Sequence, residues 1–161
     1  MTANPADIIP RKFLVVVDAS AELRAALRFA CRRAVKTDGE VALFHAVPKT
    51  EFHHFASVGD LIEREARSDA ERLLQSVAVE TYRQAGRYPA FYIREGDTLE
   101  QLRAVIADDP SFCVLVLGAA TGADGPGPII SALSGALAGQ IRIPVTIVPG
   151  NLTDGQIDAL T

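Results

Sequence analysis

Two stretches of this sequence are candidate loops for a small ligand. One is Asp18-Ala19-Ser20. The other runs from Gly118 to Pro128 and holds four of the chain's twelve glycines. Glycines permit positive φ angles and let backbone amides close on phosphate oxygens. Asp18 is the other site candidate, or it only caps the first helix or its turn.

Other chemistry finds less support. His45 lies inside an apolar run and reads as a hydrogen-bonded core histidine. His53 and His54 are adjacent, point in different directions and have no cysteine nearby, so no metal site is expected there. Cys31 and Cys113 sit in apolar segments without a Cys-x-x-Cys pair and read as reduced core thiols. No Ser/His/Asp constellation is visible, and no catalytic residue is assigned.

The elements around these residues follow from hydrophobic pattern. Phe13–Val17 is a continuous β-branched run, as strands buried on both faces require, and Val41–Val47 and Phe112–Leu117 are further strands. Phe91 and Ile93 mark another strand within 89–94. Pro144–Pro149 is a short strand between prolines, which suits a sheet edge. Ser20 is the expected N-cap of a helix through about Lys36. A long helix is expected near 57–84, with Glu63 and Arg67 paired on its outer side. Asp97-Thr98-Leu99-Glu100 is a capping box opening a third helix. A fourth helix is expected over 129–141, with Gly135 and Gly139 allowing close packing on the sheet. Strands and helices thus alternate, which predicts a parallel α/β sheet with helices on both faces. Such sheets bind ligands beyond the carboxyl ends of their strands, where strand order reverses. Both glycine loop and Asp18 follow strands at such ends.

Composition narrows the partners. With 161 residues and 48% hydrophobic content, one domain with a full core is expected. The formal net charge of -4 argues against nucleic acid, which needs a basic face. The apolar run Phe112–Ala120 is too short to span a bilayer, and Met1–Pro10 lacks the pattern of a secretory signal. A cytoplasmic location is expected. The domain is placed at 11–149, with an N-terminal extension over 1–10 and a polar C-terminal tail over 150–161.

The pieces together resemble the universal stress protein family. Val16-Val17-Asp18-Ala19-Ser20 is similar to that family's opening strand and turn. Arg94-Glu95-Gly96-Asp97 resembles its entry to the third helix. Val114–Gly118 and Pro144–Val148 resemble its fourth and fifth strands. The resemblance implies a five-stranded parallel sheet of order 3-2-1-4-5, Rossmann-like, with ligands at the junction of strands one and four. It also implies a homodimer, often formed through the fifth strand, and in many members an ATP site. On that basis Asp18 and Val47 fall beside the adenosine part. The family's phosphate signature is glycine, two residues, glycine, nine residues, then glycine with serine or threonine. It maps here onto Gly118, Thr121, Ser131 and Ala132, with Gly122 one place late.

Only the first position matches. Ser131 adds a Cβ, Ala132 lacks a hydroxyl, and no Lys or Arg occurs from Val114 through Ile141. Each missing charge-assisted hydrogen bond costs about 1.5–3 kcal/mol. Two lost together weaken binding by roughly a hundredfold or more. The expectation is therefore a regulatory or binding protein in the stress response, with weak or no affinity for ATP or another adenine nucleotide, or with another small molecule in the pocket. The alternative is a member that binds and slowly hydrolyses ATP. A receiver domain is disfavoured because Asp18 has no acidic neighbour. A dinucleotide-binding domain is disfavoured because Gly-x-Gly-x-x-Gly is absent after the first strand.

Overall fold

The computed structural model describes residues 9–49 and 56–161. His53 and His54 lie outside the described residues.

Five strands form one sheet: β1 (Lys12–Val16), β2 (Glu40–Val47), β3 (Ala90–Glu95), β4 (Phe112–Ala119) and β5 (Val145–Pro149). All pairings are parallel, and the order is β3-β2-β1-β4-β5. Strand order reverses between β1 and β4, as expected. Five helices connect and flank the strands: α1 (Leu23–Thr37), α2 (Ala56–Ala85), α3 (Thr98–Asp108), α4 (Pro128–Leu133) and α5 (Asp154–Leu160).

Side chains alternate across each strand, and this divides the core in two. Phe13, Val15, Val17, Val41 and Leu43 pack beneath α1 and α2, against Ala30, Leu74 and Val77. Leu14, Ala42, Phe44, Leu115 and Leu117 face the other way, against Leu102, Val105 and Ile106 of α3. The continuous apolar runs are explained by this: both faces of the central strands are covered.

Several local details depart from the sequence reading. Ser20 does not cap α1; it folds back onto Asp18, and the N-cap is Glu22, whose side chain makes no cap bond. Arg67 pairs with Glu71 and Glu95 rather than with Glu63. Asp97 caps α3 as expected, accepting from the Glu100 amide at 2.9 Å, but the Glu100 side chain does not return the bond that would complete the capping box.

Two departures are larger. The helix expected over 129–141 ends at Leu133 and is followed by a short 3-10 turn, Ala136–Gly139. Ser134 and Gly135 break it: the Ser134 hydroxyl bonds back to the Ser131 carbonyl, and Gly135 takes a non-helical conformation. Gly135 and Gly139 are exposed and do not pack on the sheet. Conversely, 150–161 is not a polar tail. Thr153 and Gln156 form a reciprocal capping box that starts α5. Ile157 is fully buried against the α1 core.

Charge holds α5 in place. Arg28 binds Asp158 through two bonds, Nε to Oδ1 at 2.8 Å and Nη2 to Oδ2 at 2.7 Å. Arg32 makes the same forked contact at 3.1 and 3.0 Å, and Arg24 pairs with Asp154. The three arginines are four residues apart and share one face of α1. The guanidiniums of Arg28 and Arg32 draw the Asp158 carboxyl down to about 2.

Candidate functional site

The switch point between β1 and β4 opens into two adjoining cavities, and Asp18 lies on the wall between them. The larger, about 430 Å³, is lined by Val16, Asp18, Ala46, Asp97, Leu99 and Ile129 among others. The smaller, about 80 Å³, is lined by Asp18, Ser20, Glu22, Gly118, Gly127 and Ile130 among others. Among the described residues, neither lining includes a lysine or an arginine.

Asp18 reaches this position by following the carboxyl end of β1. Val15 and Val17 pack toward α1 and Val16 toward α3, yet Val16 and Val17 both border the larger cavity. Its Oδ1 accepts the Ser20 amide at 3.0 Å and also the Ser20 hydroxyl. Asp18 thus shapes its own turn while remaining exposed to the cleft.

Val47 does not line either cavity. The larger cavity is lined instead by the preceding residues His45 and Ala46, which come from opposite faces of β2 near the end of the strand. The Val47 carbonyl instead accepts the Gly96 amide at 2.9 Å and secures the turn into α3. His45 is a bonded histidine: its Nδ1 pairs with the Val17 carbonyl at 2.7 Å.

Gly118 lines the smaller cavity, but packing alone requires it. A Cβ there would lie 2.5 Å from the Glu22 carbonyl oxygen. Gly150 meets the same obstacle, with its Cβ position 2.6 Å from the Glu22 Cβ. The first turn of α1 is wedged against the ends of β4 and β5, and glycine at both positions admits it. Gly122 is exposed and lines neither cavity; Ser131 is exposed on α4, and Ala132 follows it outside both linings.

The loop between β4 and α4 closes on itself. The Ala120 amide donates to the Pro126 carbonyl at 3.2 Å. Pro126, Gly127 and Pro128 border the smaller cavity, and neither proline carries an N–H. Where a phosphate cradle presents successive amides, this segment can offer only Gly127. The two prolines are legible in the sequence as missing donors, although the signature positions Gly118, Thr121, Ser131 and Ala132 lie on either side of them. No cluster of three or more His, Cys, Asp or Glu able to hold a metal occurs among the described residues.

A parallel five-stranded α/β sheet with a cleft at its switch point defines the class: a Rossmann-like domain. The universal stress protein family pattern matches residues 10–149. The chain belongs to the universal stress protein family. Solved structures agree in fold. The chain resembles the universal stress protein UspA from Lactobacillus plantarum at 17% identity and TM-score 0.70, covering 88% of this chain and 99% of that one. It resembles the universal stress protein from Archaeoglobus fulgidus, solved in complex with dAMP, at 18% identity and TM-score 0.57, over 88% and 99% of the two chains. An Arabidopsis thaliana family protein solved with AMP bound matches at 16% identity and TM-score 0.58, over 87% and 92%. No curated protein matches the chain. No helix among the described residues is long and apolar enough to cross a membrane.

Proposed function

We propose that this chain is a regulatory binding protein of the stress response, without chemistry of its own, whose switch-point cleft accepts the nucleoside end of an adenine nucleotide and holds ATP weakly or not at all. The observation that carries this reading is the inequality of the two cavities. The 430 Å³ cavity has the size and largely apolar lining of a small-ligand site. Both cavities share Asp18 and each adds a second carboxylate, Asp97 in the larger and Glu22 in the smaller; the smaller is also bordered by prolines where amide donors would be needed. A triphosphate there meets like charge and few donors. Relatives solved with AMP or dAMP support the nucleoside half of the proposal.

Asp18 and Ala46 are the contacts expected for the nucleoside. Gly122, Ser131 and Ala132 are not expected to touch it. A cytoplasmic location fits such a role. The protein is expected to be a homodimer through β5, an edge strand whose Ile147 is 46% exposed.

Calorimetric titration of ligand-stripped protein tests the reading. AMP or adenosine should bind at least as well as magnesium ATP, and Asp18→Ala should weaken that binding. Submicromolar ATP affinity would overturn it. Phosphate release abolished by Asp18→Ala would favour the slow hydrolase instead. For the dimer, a monomer mass by light scattering at micromolar concentration is the contrary result.

A further inference from the structure

A second cavity, about 460 Å³, opens at the opposite end of the sheet. Its floor is formed near the amino ends of β1, β4 and β5 by Phe13, Val114 and Thr146. Its roof is the second half of α1, where Phe29, Arg33 and Thr37 recur every fourth residue and so share a face. Leu160 of α5 borders one side. Neither α2 nor α3 contributes to it. The cavity exists because α1 and α5 leave part of the β4–β5 face uncovered.

Its charge is one-sided. Arg11 and Arg33 are the ionised groups of the lining, and no carboxylate lines it. Every other arginine of α1 that faces α5 is paired, but neither Arg11 nor Arg33 forms an ion pair among the described residues. This stands out in a chain of net charge -4. A half-buried guanidinium beside apolar side chains gains most from an anionic acceptor that brings its own apolar body.

We propose that this cleft binds an amphipathic carboxylate, with the carboxyl group on Arg33 and Arg11 and an apolar chain lying along Phe13, Phe29 and Val114. The volume falls within the range of small-molecule sites, and the combination of apolar walls with few polar groups is typical of them. The site is independent of the switch-point cleft and shares no lining residue with it.

Decanoate, below its micelle concentration, is the probe. Titration of the full chain by calorimetry and by amide NMR should give saturable one-to-one binding. The amides of Cys113, Val114 and Thr146 should shift, and those of Asp18 and Ser20 should not. Arg33→Gln should weaken binding about tenfold or more, as expected for one charge-assisted hydrogen bond. Arg11→Gln, on the exposed rim, gives a second reading in the same direction. Decanol binding as tightly as decanoate would overturn the proposal, because the arginines would then be irrelevant. Inorganic phosphate displacing decanoate at equal concentration would overturn it too, since the apolar walls would then add nothing. Loss of decanoate binding as the protein self-associates at higher concentration would also overturn it and assign the cleft to a second copy of the chain.

Discussion

The short helices α4 and α5 make an instructive pair. Each has about two turns, six residues in one and seven in the other. The first lies inside the family pattern and borders the cleft, and the second lies beyond it. Yet α4 has no buried residue and no side-chain cap. Its first position is a proline, and it gives way to a 3-10 turn after Leu133. By contrast, α5 has a complete capping box, buries Ile157 and is gripped by three arginines of α1. The segment tied to the expected ligand is held loosely, and the segment outside the pattern is held firmly. Isolated helices this short are unstable in water, so tertiary contacts decide which persists. Resemblance locates a site but does not report how well it is built.

Substitutions can widen or erase that contrast. The largest effect is expected from Ile157→Ala, which empties a fully buried position and should cost about 2–5 kcal/mol in denaturant unfolding. A cost below about 1 kcal/mol would mean that α5 is a surface appendage. Gly118→Ala comes next. Its Cβ would strike the backbone carbonyl of Glu22, so a loss of about 1–3 kcal/mol is expected whether or not nucleotide is present. A wild-type melting temperature would instead assign Gly118 to ligand alone.

Acid should loosen α5 selectively. Arg28 and Arg32 lower the Asp158 carboxyl from 3.8 to about 2. Its contribution is therefore present above pH 3.8 and is lost as pH falls toward 2. Hydrogen exchange across that window should show α5 amides losing protection, and Asp158→Asn should remove the pH dependence. Leu133→Ala, in partly buried α4, is expected to have the smallest effect, under about 1 kcal/mol by the same unfolding assay. An effect matching that of Ile157→Ala would cancel the difference between the two helices.

Much of the architecture could be read from periodicity. The apolar runs 13–17, 41–47 and 112–117 mark the three central strands because both faces are buried, and the one polar residue among them, His45, is satisfied by the Val17 carbonyl. The order of strands came only through resemblance, since parallel neighbours leave no local trace. α5 escaped notice because it carries few apolar residues, and the arginines that hold it lie more than 120 positions upstream. Its Thr153-x-x-Gln156 box was a local sign of it. The site was legible in part. Asp18 lines the cleft, whereas Val47 lies outside it and its neighbours His45 and Ala46 line it. A continuous apolar strand shows no alternation from which to assign its faces. Gly118 was legible as a glycine but not as a packing requirement, because Glu22, its obstacle, comes from another element.

The grip of α1 on α5 bears on how this protein can be cut. Trimming at Pro149, where the family pattern ends, would strip Ile157 from the core and leave Arg28 and Arg32 facing solvent without Asp158. The Thr161 oxygen that accepts the Lys36 ammonium would go too. A fragment bounded by the pattern would therefore be a poorer folder than the chain it came from, and an assay on it would confuse a weak ligand with a weakened scaffold.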